Sequence, residues 1–300
     1  MLAKFFSWLL YIGMRSRTNL QHDSDYYEHI SPTAFVIAFE RIFTDIPLSR
    51  EIFSILKEKG LISSSDERLT GLAPRYEARY KLVSDLVEET NNSNILEIAP
   101  GMSPRGLICA AGSPGINYIE LDLPGSSGLK QEIIQEVSTR LNYSTLNLWQ
   151  IAGNAMNSTD VQGAIELLDN PRPLTVVCEG LMRYLDFDEK KLLATNILAI
   201  LRSRGGGWIT PDITLKSLHV GRMQALEATV ADISGIDLTN NYFDSIEQAK
   251  SFFENIGFSV SIRGFIEVIG SLSSPQILGL DNLTVENILR SSVAFVMQAR

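Results

Sequence analysis

The 300-residue sequence predicts an α/β fold built on a mostly parallel sheet, and three features carry that prediction. Short apolar runs alternate with amphipathic helical patterns from Asn94 onward, the pattern of repeated strand–helix–strand units. The run from Leu174 to Cys178 is apolar throughout, as a strand covered on both faces requires. Polar residues also recur at the ends of successive runs, at Glu97, Asp122, Asn154 and Glu179, where a parallel sheet opens its ligand crevice.

Taken in order, Ser31 to Lys59 reads as helical, with Phe35, Ala38, Phe39, Ile42 and Phe43 at three- and four-residue spacings and Pro47 opening a second helix that Gly60 closes. Ser63 to Asp66 is a polar loop. A helix from Pro74 to Glu89 has Tyr80, Val83, Leu86 and Val87 on one face. Ile95 to Ile98 is then the first strand, Pro104 to Ala111 a short helix, and Asn117 to Leu121 the second strand, ending in Asp122. A helix over Leu129 to Arg140, a strand over Leu148 to Ala152, a helix over Val161 to Leu168 and the strand Leu174 to Cys178 follow.

Asp186, three residues before Glu189, offers a capping box for the next helix, which stops at Gly205, Gly206 and Gly207. Trp208 to Thr210 is the fifth strand. The alternation pauses between Asp212 and Tyr242, with a helix over Leu215 to Val230. It resumes with a helix from Ser245 to Asn255 and strands at Ser259 to Ile262 and Ser292 to Gln298, which brings the sheet to seven strands. The whole is read as one domain: a helical cap over residues 1–90 and a core over 91–300, with a lid inserted at 212–242.

Composition narrows the function. A net charge of −9 argues against a nucleic-acid surface, which needs clustered Lys and Arg. Cys109 and Cys178 lie in apolar runs and read as buried thiols of a cytoplasmic protein rather than a disulfide. His22, His29 and His219 lack metal-ligand spacing, so no metal site is expected. The apolar segment Phe5 to Ile12 is too short to span a bilayer as a helix. Packing on the domain is the preferred reading, with membrane-surface attachment as the alternative.

The stretch Asn94 to Gly106 is a strand running into a tight loop, where Ala99, Pro100 and Gly101 let a ligand approach the backbone. Asp122 follows Glu97 by 25 residues, near the spacing at which an acid grips ribose hydroxyls in dinucleotide folds. The glycine fingerprint for a pyrophosphate is missing, because Ala99 stands at its first position and its third glycine is absent. This favours a nucleoside ligand without phosphates, such as S-adenosylmethionine, over a nicotinamide dinucleotide.

Several motifs resemble one family. Glu97 to Arg105 is similar to the first motif of class I methyltransferases of the leucine carboxyl methyltransferase and polyketide O-methyltransferase group, with Ala99, Pro100 and Ser103 substituted. Ser31-Pro-Thr-Ala34 with Arg41, Glu77-Ala-Arg79-Tyr80, Tyr118 to Pro124 with Lys130, and Cys178-Glu179-Gly180-Leu-Met-Arg-Tyr184-Leu185 resemble further motifs in the same order. The resemblance implies a Rossmann-like class I methyltransferase fold and S-adenosylmethionine as cofactor.

It also implies roles: Arg79, rather than its rival Arg75, on the cofactor carboxylate, the backbone around Ala99 and Gly101 on the methionine moiety, and Asp122 with Leu123 on the ribose. Asn154 and Ala155 would flank the adenine, Asn154 accepting through its amide oxygen. Glu179 would contact the amino end, Tyr184 would face the transfer site, and Glu97 completes the cofactor set. The implied activity is O-methyl transfer to a carboxylate or hydroxyl of a small molecule or peptide C-terminus. Arg105 and Arg183 are either anion ligands or helix-surface charges. A noncatalytic S-adenosylmethionine-binding protein is the alternative, motivated by the altered Ala99-Pro100 loop.

Overall fold

The computed structural model describes residues 33–62, 71–168, 172–218 and 238–300. The N-terminal apolar segment, the three histidines, the Ser63 to Asp66 loop and most of the Leu215 to Val230 helix lie outside the described residues. Helices α1 (Thr33–Arg41), α2 (Ser49–Glu58) and α3 (Ala73–Thr90) precede strand β1 (Asn94–Ile98). Then come α4 (Arg105–Gly112), β2 (Asn117–Asp122), α5 (Pro124–Leu141), β3 (Leu148–Ala152), α6 (Ser158–Glu166) and β4 (Leu174–Cys178). The chain continues through α7 (Phe187–Arg204), β5 (Gly206–Thr210), α8 (Ile246–Ile256), β6 (Phe258–Gly264), α9 (Ser274–Leu278), α10 (Asn282–Leu289) and β7 (Val293–Ala299).

The seven strands form one Rossmann-like sheet in the order β3-β2-β1-β4-β5-β7-β6. β1 to β5 pair in parallel, and β7 inserts antiparallel between β5 and β6. The expected α/β class I methyltransferase fold, with its mostly parallel seven-stranded sheet, is therefore present. Because β1 lies between β2 and β4, the chain winds outward to β3 and then crosses back, which opens a crevice at the carboxyl ends of β1 and β4.

Alternation along the strands sends side chains to two cores. Leu96, Ile98, Ile119, Leu121, Val176 and Trp208 face one layer with Leu193, Ile197 and Phe253 of α7 and α8. Ile95, Tyr118, Val177 and Ile209 face the other, against α1 to α5. The capping box of α7 forms as expected: Asp186 accepts from the Glu189 backbone at 2.9 Å, and Glu189 accepts from the Asp186 backbone at 2.7 Å.

Some expected boundaries move. α5 starts at Pro124 rather than Leu129, because proline suits the first turn of a helix even where Gly125, Ser126, Ser127 and Gly128 look loop-like. Leu215 forms an isolated bridge with Phe243, and Lys216–Leu218 form a 3-10 turn; the rest of the expected Leu215 to Val230 helix lies outside the described residues. The segment between β6 and β7, for which the sequence shows no pattern, folds as a 3-10 helix at Phe265–Ser271 followed by α9 and α10. No helix among the described residues is long and apolar enough to cross a membrane.

Candidate active site

A cleft enclosing about 1060 Å³ of non-atom space, its open mouth included, lies at the carboxyl ends of β1 to β4. Its floor is the loop Ala99 to Met102, one wall runs from Leu121 to Leu123 and from Gly153 to Met156, and the other from Glu179 to Tyr184. Ala34, Ile37 and Arg41 of α1 and Arg79 of α3 close it from above the sheet. The cleft thus gathers Arg79, Ala99, Gly101, Asp122, Leu123, Asn154, Ala155, Glu179 and Tyr184 from distant parts of the chain.

Glu97 and Arg75 are not among the lining residues. On β1 the side chain of Glu97 alternates with Leu96 and Ile98, so it points into the helix layer on the Ile95 face rather than out of the strand end. There it is fully buried, ion-paired with Arg105 and accepting from the Tyr118 hydroxyl at 2.6 Å. The first strand therefore ends in a structural carboxylate. Arg75, one turn before Arg79 on α3, hydrogen-bonds the Ser292 hydroxyl and stacks on the Phe265 ring, its carbon 5.7 Å from the centroid.

Asp122, expected on a ribose, lies at the end of β2 in the cleft wall. Its Oδ2 accepts the Gly101 N–H at 3.1 Å and its Oδ1 the Leu123 N–H at 2.8 Å, so the carboxylate braces the loop after β1. Burial pushes this carboxyl up, against the pull of those two N–H groups. The loop is fixed from below by Lys130, whose buried ammonium donates to the carbonyls of Gly101 at 2.9 Å and Ser103 at 2.6 Å. Gly101 has φ +51° and Ala99 φ +52°, so the loop holds an alanine in the left-handed region that favours glycine.

Glu179 is the centre of a buried cationic cluster. Its Oε1 accepts from Arg79 Nε at 2.9 Å and from Arg41 at 3.1 Å, and its Oε2 accepts from Arg105 at 2.6 Å. Burial opposes its charge, but the guanidiniums of Arg79, Arg105 and Arg41 outweigh it and hold the carboxyl at about 2. Arg105 is thus neither a surface charge nor a free anion ligand; its guanidinium is locked between Glu97 and Glu179, stacked 4.7 Å from the Tyr80 ring centroid.

Sequence reasoning missed Asp212 as a site residue. Lying just beyond β5, it accepts the N–H groups of Gly180, Leu181 and Met182 at 2.7, 2.8 and 3.1 Å. These bonds fix the turn that carries Glu179 and Tyr184, where Gly180 takes φ +94°. The available signal was the acid directly following an apolar strand and Pro211. Asn154, expected to flank an adenine, lines the cleft, but its side-chain oxygen accepts the Met156 N–H at 2.9 Å and its own N–H goes to Asp160 at 2.8 Å. The expected oxygen acceptor is therefore already engaged, which leaves the Nδ2 donor end for a ligand.

Arg183 also lines the cleft, so it is not a helix-surface charge. Tyr184 lines the cleft and is buried in a small cluster with Val36, Leu72, Tyr76, Leu238 and Tyr242. No group of His, Cys, Asp and Glu among the described residues has metal-binding geometry.

No family model matches the sequence, and no curated protein matches it. Among solved structures, a DUF574 family protein from Streptomyces avermitilis superposes with a TM-score of 0.55 at 14% identity, over 89% of this chain and 96% of that one. An O-methyltransferase family protein from Burkholderia thailandensis gives 0.48 at 12% identity over 84% of this chain and 67% of its own. PigF with SAH gives 0.49 at 12% identity, over 83% of this chain and 62% of its own. The first of these likenesses supports the fold.

Proposed function

We propose that this chain binds S-adenosylmethionine in the cleft and transfers its methyl group to an oxygen of a small-molecule or peptide acceptor, as a relative of the leucine carboxyl and polyketide O-methyltransferases. One observation carries the reading: Asp122, at the end of β2, is hydrogen-bonded to Gly101 at the switch point of the sheet, between walls that supply Asn154 on one side and Arg79 with Glu179 on the other. A ribose needs a carboxylate acceptor beside close backbone, and both are there.

The donor set fits the remaining groups of such a ligand. Among the described hydrogen bonds Arg79 uses only Nε, so its terminal nitrogens remain to fork onto a carboxylate. Asn154 and the Ala155 backbone would flank the adenine. Glu179 would meet an ammonium only by sharing oxygens that already serve three guanidiniums, so its main work is to hold Arg79 and Arg41 in place. Asp212 holds the Gly180 turn beneath, which keeps Tyr184 against the acceptor end.

Bound S-adenosylmethionine supplies a methyl group already activated by its sulfonium, so the protein contributes proximity and alignment. A carboxylate acceptor is ionised at neutral pH and needs no general base, which agrees with a described lining that contains no histidine. The rival reading, binding without transfer, draws on Pro100, which removes one N–H from the loop facing the ligand.

Isothermal titration with S-adenosylmethionine and S-adenosylhomocysteine tests the first step. Absence of binding by either at high micromolar concentration would end the methyltransferase reading. Asp122→Ala is expected to weaken S-adenosylhomocysteine by more than about tenfold with the fold retained, the loss of one charge-assisted hydrogen-bonding group. Binding without turnover on a broad acceptor panel would favour the rival.

A further inference from the structure

The cleft wall after β3 presents a donor where the sequence leads one to expect an acceptor. The turn from Gly153 to Asn157, between β3 and α6, is tightly held. Gly153 donates its N–H to the Asp122 carbonyl at 2.9 Å, and an added β-carbon there would lie 2.9 Å from Leu121 and 3.1 Å from Asp160. Asn154 donates its N–H to Asp160 Oδ2 at 2.8 Å, its carbonyl accepts the Asn157 N–H at 2.8 Å, and its Oδ1 accepts the Met156 N–H at 2.9 Å. The Ala155 carbonyl accepts from the buried Asn196 amide at 3.0 Å.

The Met156 N–H fixes which end of the Asn154 amide is which. A backbone N–H can only donate, so the atom facing it is the oxygen. Turning the amide over would set its NH2 against that N–H and leave a backbone donor unpaired. Oδ1 is thus drawn back onto the main chain, while Nδ2 has no protein partner among the described contacts and belongs to a residue that lines the cleft. Asp160, the acid packed behind this turn, does not line the cleft. The neighbouring lining, Leu121, Leu123, Ala155 and Met156, is apolar and suits a flat heterocycle.

With a ribose on Asp122 and a carboxylate on Arg79, the base of a nucleoside ligand has the Gly153 to Met156 wall left to it. That placement rests on the cofactor reading above. An exocyclic amino group facing Nδ2 would meet donor with donor, whereas a carbonyl oxygen at the same ring position accepts from it. We propose that Asn154 makes this end of the cleft a donor site for a purine, one that holds a 6-oxo purine nucleoside at least as well as the 6-amino form. An S-adenosyl ligand is then held by its sugar and its amino-acid end, and its 6-amino group confers no selectivity.

Asn154→Asp tests this with a side chain of the same shape. One carboxylate oxygen keeps the Met156 N–H, and the other puts an acceptor in the place of Nδ2. Isothermal titration of the full chain and of this variant at neutral pH uses S-adenosylhomocysteine and its 6-oxo analogue, S-inosylhomocysteine. The unaltered protein is expected to bind the 6-oxo probe within about threefold of the 6-amino probe, or more tightly. Asn154→Asp should shift the ratio by about tenfold or more toward the 6-amino probe, because the carboxylate accepts from the amino group and repels the carbonyl oxygen. The ratio is internal to each protein, so a general loss of affinity or stability does not imitate the shift.

A preference above about threefold for S-adenosylhomocysteine in the unaltered protein overturns the proposal without the variant. A ratio that Asn154→Asp moves by less than about tenfold does the same. Binding of S-inosylhomocysteine with none of S-adenosylhomocysteine upholds the donor site and ends the S-adenosylmethionine reading, whereas binding of neither probe ends both.

Discussion

Glu179 shows how single residues here serve the site through charge. Its carboxyl is held at about 2, below its ordinary range, because three guanidiniums outweigh the cost of its burial. Since the folded value lies below the unfolded one, the stability it contributes is complete above the unfolded value of about 4.3 and disappears as pH falls toward the folded value. Across that window the linkage is worth about 3 kcal/mol. Glu179→Gln should remove this acid-side slope and, by leaving Arg41, Arg79 and Arg105 short of a counter-charge, cost about 3–5 kcal/mol at neutral pH. Urea unfolding of both proteins between pH 2 and 7 measures it, and equal stability at neutral pH would show that the cluster is not an ion-pair network. A related lesson comes from Glu97: its position at a strand end was visible in the sequence, but the face it occupies was not. Strand alternation, combined with Arg105 on the following helix, turns a candidate ligand into the buried partner of Tyr118 and Arg105.

At the scale of an element, the stretch from β1 into α4 is under two opposite backbone constraints. Ala99 adopts φ +52°, where a β-carbon costs about 1–2 kcal/mol, so Ala99→Gly should be neutral or stabilising, against the loss of about 1 kcal/mol usual for glycine. Gly106 is the reverse case: an added β-carbon would lie 2.5 Å from Glu120 Oε1 and 3.0 Å from Leu148. Gly106→Ala is therefore expected to cost about 1–3 kcal/mol by overpacking and to disturb the Lys130–Glu120 pair that sits under the loop. Gly163 in α6, with open space around its β-position, serves as the control, where alanine should gain about 0.5–1 kcal/mol from helix propensity. Thermal or urea unfolding of the three variants separates these signs. The motif reading located this loop because its residue types are local in sequence. It named Lys130 within the second-strand motif but could not place it beneath the loop, nor see the clash at Gly106, because both depend on how α5 and β2 pack on it.

For the whole molecule, the order of strands and helices in the core followed from periodicity, since apolar runs and caps are written locally. The segment from Phe265 to Leu289 did not, because its short helices are held by packing on α3 and not by a repeating pattern: Glu77 of α3 accepts the N–H groups of Ser273 and Ser274 at 2.8 and 2.9 Å. The same long-range logic joins the cap to the sheet. Arg41 of α1 bonds Glu179 after β4 and reaches the Met102 carbonyl after β1 at 3.4 Å. Ala34, the second residue of the same helix, is the nearest group to Gly101, 3.5 Å from where its β-carbon would stand. A ligand in the cleft must therefore touch elements far apart in sequence that already form one unit. Saturating S-adenosylhomocysteine, at about a hundred times its dissociation constant, should stabilise the protein by about 2.7 kcal/mol. In hydrogen exchange, the protection should appear together in residues 33–41, 98–103 and 179–184 rather than in the β1 and β2 loops alone. Arg41→Ala should uncouple the first of these segments from the other two while protection at 98–103 persists. Protection confined to the loops in the unaltered protein would show that the helical cap covers the cleft without taking part in binding.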